Sequence, residues 1–244
     1  MSRFDDTNAW GQPSGAFGAV SAAEYDAGLR QHLLSVYNYM ASGLLLTGIV
    51  ALVTAQSGAA MALIHGSPIK YLVMLAPLAF VMVLSFGIQR LSAQAMQMIF
   101  WAYAATMGLS LSSIFLVFTG ASIAETFFIT AATFASMSLY GYTTQRDLSG
   151  MGNFLIMGLF GIVIAGLVNI FLASSALQFV ISAVGVLIFT GLTAYDTQTI
   201  KENYAENWSD ESRSKIALMG ALTLYLDFIN LFMMLLQFVG NRRD

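Results

Sequence analysis

The fold is set by a stretch near the end of the chain, Ala221-Leu-Thr-Leu-Tyr-Leu-Asp227-Phe-Ile-Asn-Leu-Phe232. The apolar run around it extends from about 216 to 239, and Asp227 lies 11 positions from its start and 12 from its end. A helix needs roughly 20 apolar residues to cross a hydrocarbon core about 30 Å thick. The run is therefore long enough to span a membrane, with an ionisable group near its middle.

The composition of the whole chain also indicates a membrane protein. Of its 244 residues, 57% are hydrophobic and 9% are charged, whereas a soluble domain devotes about a quarter of its residues to charged side chains. Lipid requires apolar side chains on the outside of a protein as well as in its core. The net charge of −3 argues against nucleic acid as a partner. The absence of cysteine excludes disulfides, thiolate metal sites and cysteine nucleophiles.

Seven apolar runs can be placed between the charges. They cover about 33–55, 71–89, 95–118, 122–142, 153–173, 177–200 and 216–239. We therefore predict an all-α membrane protein with seven transmembrane helices over residues 31–244, and a kink at Pro77. Residues 1–30 contain few large apolar side chains and are typical of a flexible polar tail.

The distribution of Lys and Arg predicts the orientation in the membrane. The side that holds the tail and the 2–3, 4–5 and 6–7 connections carries seven basic residues, against three on the other side. Because basic loops stay in the cytoplasm, the amino terminus is predicted to be cytoplasmic. A re-entrant last segment would move Arg242 and Arg243 to the cytoplasm as well, but the run is long enough to cross fully.

Two aspartates stand out inside these runs. Apart from Glu125 near the mouth of the fourth span, Asp196 and Asp227 are the only ionisable residues in the seven runs. A carboxylate at the centre of an inserted helix costs about 2.5 to 3.5 kcal/mol, so it normally faces a partner or water. Asp196 lies on the predicted cytoplasmic side, from which the next helix starts, so the two carboxyl groups can approach one another if the helices pack.

Such a pair would be sensitive to protons. Two carboxyl groups that share a dry site cannot both ionise, so the pair would hold a single proton. A tyrosine precedes each carboxylate, Tyr195 by one position and Tyr225 by two, and both are candidate supporting residues. The alternative is that each aspartate only bonds a neighbouring helix as a polar packing contact.

Two further polar residues have open interpretations. Arg90 ends the second span on the side of Asp196, and is either a counter-ion of the pair or an ordinary anchor that reaches the lipid headgroups. Asn169 lies on one face of the fifth span with Gly161 and Ala165, at spacings of four. Small residues at that spacing favour burial of this face against another helix, although Asn169 is also a candidate to line a pathway.

The carboxyl-terminal half resembles the Bax inhibitor-1-like family, also called the transmembrane Bax inhibitor motif family. The match is carried by Gly191-Leu-Thr-Ala-Tyr-Asp196-Thr-Gln198 and by the stretch 221–232 quoted above, with support at 140–149 and 167–171. The resemblance extends from about residue 30 to the end. It implies a bacterial inner-membrane protein with seven helices, the last of them central, that leaks calcium in a pH-sensitive manner.

The resemblance also implies roles for single residues. Asp196 and Asp227 match the family's proton-sharing pair, and Arg90 matches an arginine that bonds to that pair in the closed state. One departure concerns the second helix, where some bacterial members have an acidic residue near position 79 and this chain has Ala79. Eukaryotic members are linked to suppression of cell death, and some bacterial ones to modulation of a membrane protease.

The leading hypothesis is a proton-gated cation channel, with calcium as the favoured ion, that is not an enzyme. Calcium takes six to eight oxygen ligands, so two carboxylates with hydroxyl groups indicate weak, transient binding rather than a high-affinity metal site. No cofactor is expected; the expected partners are membrane lipid, calcium and protons, and a membrane protease or other membrane protein is a further candidate. The alternatives are a regulatory membrane protein and an intramembrane aspartyl protease. The protease is disfavoured because its glycine-x-glycine-aspartate pattern is absent around Asp227.

Overall fold

The computed structural model describes residues 22–205 and 208–243. In these ranges the chain forms nine helices: α1 Ala22–Gln56, α2 Gly58–His65, α3 Ile69–Gly87, α4 Ala93–Leu111, α5 Ile114–Val117, α6 Gly120–Thr143, α7 Ser149–Leu172, α8 Ser175–Glu202 and α9 Asp210–Val239. With α4 and α5 counted as one span, the described residues contain seven helices long and apolar enough to cross a membrane. The predicted all-α fold is confirmed.

The predicted tail, residues 1–30, differs from the structure in its last part. Residues 22–30 form the first turns of α1, and residues 1–21 lie outside the described ranges. Leu29 and Leu33 bury against Tyr204, which follows α8 in the chain. Gly28 lets the Tyr204 ring approach closely. This contact with a distant segment gives the start of α1 a buried face that the local composition does not indicate.

The connections between spans also contain helix that the hydropathy did not predict. Ser57 in the polar turn after α1 caps the short helix α2, and its hydroxyl oxygen accepts a hydrogen bond from the Ala60 amide. The third span breaks at Ser112 and Ser113, between α4 and α5. Helix α3 continues through Pro77, the position of the predicted kink.

Helix α9 lies at the centre of the bundle. It packs against α1, α4, α6 and α8. In its most apolar window 67% of the residues are buried, against 6% for α7. A helix that carries a carboxyl group at membrane depth is expected to face other helices rather than lipid. The predicted central last helix is confirmed, and α9 runs without a break from Asp210 to Val239.

The two ends of the bundle carry different parts of the chain. We call the end at which α1 begins the amino-terminal side; the α3–α4, α6–α7 and α8–α9 connections lie there. At the opposite end, the carboxyl-terminal side, the last residues bond to the link between α5 and α6. The Arg243 amide donates to the Val117 carbonyl at 2.8 Å, and the Thr119 amide donates to the Asn241 carbonyl at 3.1 Å.

The buried face of α7 differs from the predicted one. Asn169 is buried and Ala165 half-buried, but Gly161 is exposed and faces open space. The small residues at the contact with α8 are instead Gly152, against Tyr195, and Gly158. A spacing of four residues turns a helix by about 400°, so a line of such residues drifts off the contact face by about 40° at each step.

Candidate functional site

Asp196 on α8 and Asp227 on α9 lie side by side in the interior of the bundle. Their carboxyl groups face each other within hydrogen-bonding reach. Asp227 is only 5% exposed, and its Oδ2 atom has no hydrogen-bond partner among the residues that the structure describes. Asp196 is half-buried and borders a cavity. The structure therefore brings together the two aspartates that the sequence singled out.

The packing of α8 against α9 explains why the two side chains meet. The helices run in opposite directions and are joined on the amino-terminal side. Asp196, near the end of α8, therefore lies level with Asp227, near the middle of α9. Small residues allow the close approach. Gly220 lies against Ile200, and Gly185 lies against Met234.

A cavity of about 210 Å³ lies on the amino-terminal side of the pair. Four of its lining residues carry oxygen atoms: Asp196, Thr199, Asn203 and Thr223. The other four lining residues carry no polar side-chain oxygen or nitrogen: Ile200, Ile216, Met219 and Gly220. Carboxylate, hydroxyl and amide oxygens are the groups that bind hard cations.

A second cavity, of about 390 Å³, lies between α7, α8 and α9 toward the carboxyl-terminal side. It is lined by the side-chain amides of Gln178, Asn230 and Gln237. The Gln178 amide bonds to Gln237, and the Asn169 Nδ2 atom donates to Gln178 Oε1 at 3.2 Å. The aspartate pair thus lies between two polar cavities, one toward each side of the membrane.

Apolar side chains of α8 separate these polar groups. Phe189 and Leu192 are each 4% exposed and lie between Gln178 and Asp196 along the helix. They belong to the same packed cluster as Leu231 and Leu235 of α9. An apolar constriction next to a polar cavity is a barrier to ions, because a cation loses its hydration there without gaining ligands.

The two predicted tyrosines do not point at the aspartates. The Tyr225 hydroxyl is 2.7 Å from Thr47 Oγ1 on α1, and Tyr195 packs against Gly152 on α7. Residues one or two positions apart on a helix point about 100° or 200° away from each other, so neither tyrosine shares a face with the aspartate that follows it. The prediction of tyrosine support for the pair was wrong in this respect.

Arg90 is also apart from the pair. It lies in the exposed turn between α3 and α4, and the salt bridges of the described residues do not include it. Helix α3 packs on α2 and α4. The carboxylate that reaches this connection is Glu211, which accepts a hydrogen bond from the Ala93 amide. A pairing of Arg90 with the aspartates is therefore not part of this arrangement.

Asn169 lies near the end of α7, on the carboxyl-terminal side of the bundle and away from the two aspartates. Its Oδ1 atom accepts a hydrogen bond from the Ser174 amide at 3.0 Å and so closes the turn between α7 and α8. Through Gln178 it also belongs to the amide network beside the second cavity. Both interpretations of this residue, packing and a position beside a pathway, are compatible with these bonds.

Sequence reasoning missed the uncharged polar residues of the site. On α9 the residues Thr223, Asp227, Asn230 and Gln237 follow spacings of four, three and seven, which place them on one helix face. The signal was present in the sequence. These side chains other than Asp227 carry no charge, so they do not stand out in an apolar run as the two aspartates do.

One carboxylate outside the spans serves as a reference for the buried pair. Asp147 lies in the connection before α7, and its carboxylate accepts a hydrogen bond from the Ser149 amide at 2.8 Å. The Ser149 hydroxyl, and secondly this amide bond, lower the pKa of Asp147 below its ordinary value. A carboxyl group that loses its proton at so low a pH stays charged throughout pH 5 to 8.

Comparison with known proteins gives a consistent family. A family model described as "Inhibitor of apoptosis-promoting Bax1" matches residues 29–244. The inner membrane protein YbhL of Escherichia coli K12 is 53% identical over 221 residues, which cover 89% of this chain and 94% of the relative. The uncharacterized protein RP147 of Rickettsia prowazekii is 49% identical over 220 residues, 90% of this chain and 93% of the relative. An uncharacterized membrane protein of Streptococcus pyogenes, SpyM3_0260, is 36% identical over 226 residues, 91% of this chain and 97% of the relative.

Proposed function

The chain belongs to the Bax inhibitor-1 family of membrane proteins, and from that premise we propose that it is a pH-sensitive leak channel for cations, with calcium as the favoured ion. The observation that carries the proposal is the contact between the Asp196 and Asp227 carboxyl groups inside the bundle. Intramembrane acids normally mark ion or proton pathways. Here two of them meet on neighbouring helices.

The two polar cavities supply the pathway in this proposal. A cation enters the cavity at Asp196, Thr199 and Asn203 on one side and leaves past Asn230 and Gln237 on the other. Calcium prefers six to eight oxygen ligands, and a cavity lined by one carboxyl group, two hydroxyl groups and one side-chain amide offers fewer. Such incomplete coordination suits passage, because a tightly held ion would block conduction.

Protons control the pathway through the charge of the aspartate pair. Two carboxylates in hydrogen-bonding contact repel each other strongly in a site with little water, so the pair retains a proton. As the pH falls the pair gains protons and loses negative charge. The attraction for a cation and the interaction between α8 and α9 both change as a result, while Phe189 and Leu192 close the pathway between openings.

Reconstituted protein tests this function. Calcium flux into proteoliposomes is measured between pH 5 and pH 8 for the wild type and for the double variant Asp196→Asn, Asp227→Asn. We expect wild-type flux that changes several-fold across this range, and a flux in the double variant that no longer depends on pH. The matched control is Asp147→Asn, which also removes one carboxylate, but one that stays charged over the whole range.

Two results would contradict the proposal. If wild-type protein passes no calcium at any pH, the chain is not a calcium leak. If the double variant keeps the pH profile of the wild type, the aspartate pair does not control the flux. If a membrane partner co-purifies with the protein, and the protein shows no flux after reconstitution, the results instead favour a regulatory role.

A further inference from the structure

A long apolar groove separates α1 from α6. Its volume is about 840 Å³, and Phe228 of the central helix α9 lies at its base. Met40 and Leu44 of α1 form one wall, and Ala131 and Ala135 of α6 form the other. Leu45 and Leu139 on its lining are 65% and 63% exposed. The groove is therefore open sideways, toward the space that hydrocarbon occupies in a membrane.

A second cavity continues the groove toward the carboxyl-terminal side. It has a volume of about 410 Å³ and shares Gly48, Phe127 and Phe228 with the first. The first groove alone runs along α1 from Tyr37 to Leu52, a distance of about 22 Å at the rise of an α-helix. One leaflet contributes about 15 Å of hydrocarbon, so the groove can hold an acyl chain along its full length.

Two basic side chains, Lys201 and Arg30, lie near the amino-terminal end of the groove. Tyr37 and Tyr142 line this end. Lys201 of α8 donates a hydrogen bond to the Tyr142 carbonyl at 2.8 Å, and its ammonium nitrogen is 5.4 Å from the centre of the Tyr142 ring. Arg30 lies two turns before Tyr37 on the same face of α1. Within the described residues, neither Lys201 nor Arg30 forms a salt bridge.

We propose that this groove binds one acyl chain of an anionic phospholipid from the leaflet on the amino-terminal side, with the phosphate held by Lys201 and Arg30. An empty apolar groove loses the dispersion contacts that a close-packed surface makes. Phospholipid chains are the apolar groups that surround the protein at this depth. The two cations at the headgroup end select for a negatively charged lipid.

Lipid binding in this groove does not require that the protein conducts ions, although the groove lies close to the aspartate pair. Phe228 at the base of the groove follows Asp227 in α9. Ser138, at the amino-terminal end, is hydrogen-bonded to Thr197, which follows Asp196 in α8. Binding is measured on purified protein without any flux assay, so the lipid site and the leak can fail separately.

The chain offers a matched pair of glycines for the test. A Cβ atom added at Gly48 in the groove or at Gly161 on the exposed face of α7 meets nothing within 4 Å. Gly48→Leu fills the groove, and Gly161→Leu adds the same side chain to a surface that faces bulk lipid. The probe is phosphatidylglycerol, added to protein in a mild detergent, with retained lipid counted by native mass spectrometry.

We expect the wild type and Gly161→Leu to retain one phosphatidylglycerol each, and Gly48→Leu to bind it at least about tenfold more weakly, a change of roughly 1.4 kcal/mol. Retention by Gly48→Leu equal to that of the wild type overturns the site. The double variant Lys201→Gln, Arg30→Gln tests the headgroup. It should lose the preference for phosphatidylglycerol over phosphatidylcholine, and a wild type without such a preference overturns the anionic part of the proposal.

A second measurement tests the lipid site without the Gly48→Leu substitution. Because the chain has no cysteine, a single fluorophore can be attached at Ala135→Cys in the groove or at Ile164→Cys on the exposed surface of α7. Brominated phosphatidylglycerol is then titrated into the micelles. Saturable quenching at position 135, with quenching at 164 that only follows the bulk lipid concentration, supports the site. The same curve at both positions contradicts it.

Discussion

At the scale of single residues, the position of each side chain on its helix decides which of the predicted contacts form. Asp196 and Asp227 were predicted to meet because both apolar runs start or end on the same side of the membrane, and the structure brings them together. Tyr195 and Tyr225 are closer to them in sequence but point elsewhere. Two residues that are one or two positions apart on a helix do not share a face, so closeness in sequence does not predict a contact between their side chains.

Arg90 gives a prediction at this scale. Since it is exposed and lies apart from the aspartates, we expect Arg90→Gln to change calcium flux by less than about twofold, which corresponds to roughly 0.4 kcal/mol in barrier height. The measurement is flux in proteoliposomes between pH 5 and pH 8. The control is Lys70→Gln, a charge removed at the other end of α3. A large rise in flux specific to Arg90→Gln would support the counter-ion role that the family resemblance implies.

His32 gives a second prediction. Its ring is 2% exposed and packs near Tyr204 and Trp208, and neither ring nitrogen has a hydrogen-bond partner within 22–205 and 208–243. Leaving a polar group buried without a partner costs about 1–3 kcal/mol. We therefore expect His32→Phe, which keeps an aromatic ring, to raise the thermal unfolding temperature in detergent. A lower unfolding temperature would mean that the nitrogens have a partner such as bound water.

At the scale of helices, hydropathy predicts where each span lies but not how it is interrupted. The predicted runs lie within the observed spans or differ from them by one or two residues, because lipid-facing and buried faces are both apolar. Helix α2 and the break at Ser112 and Ser113 were missed. A hydrogen bond of 2.8 Å between His65 and Ser112 joins the two features across 47 positions, and an average of hydropathy over a window does not detect such single contacts.

The polar face of α9 leads to a prediction for this scale. Asn230 lies one turn from Asp227 and lines the second cavity. Asn230→Leu keeps a similar volume but removes the amide from the pathway, so we expect calcium flux to fall several-fold. Met233→Leu, which lies toward the packed core, is the control. Equal flux in the two variants would place the pathway elsewhere.

At the scale of the whole molecule, the central position of α9 follows from its composition once the fold is known. One face of α9 holds Asp227 and other polar residues, which are costly to expose to lipid, so other helices cover it. The sequence alone did not show which helices cover it, because every span is apolar and pairing depends on the match of side-chain shapes. The open groove between α1 and α6 is likewise a property of the assembled bundle and cannot be read from either helix.

The orientation of the bundle in the membrane is testable on the same scale. Gly58 and Gly150 are both exposed near the start of a helix, on opposite sides of the bundle, and both have open space at the Cβ position. With a membrane-impermeant thiol reagent on intact bacteria, we expect labelling of Gly58→Cys but not of Gly150→Cys. Permeabilised cells, in which both should react, are the control. The reverse pattern on intact cells would place the amino-terminal side outside.

The central claim is that Asp196 and Asp227 share a proton that is gained or lost between pH 5 and pH 8. Infrared difference spectroscopy of the reconstituted protein during a pH titration measures this directly, through the carbonyl stretch of a protonated carboxyl group. We expect a band that grows as the pH falls through this range, parallel to the change in calcium flux, and that is absent from the Asp196→Asn, Asp227→Asn variant. If no such band changes between pH 5 and pH 8, or if the double variant retains it, the two aspartates are not the proton-sensitive element.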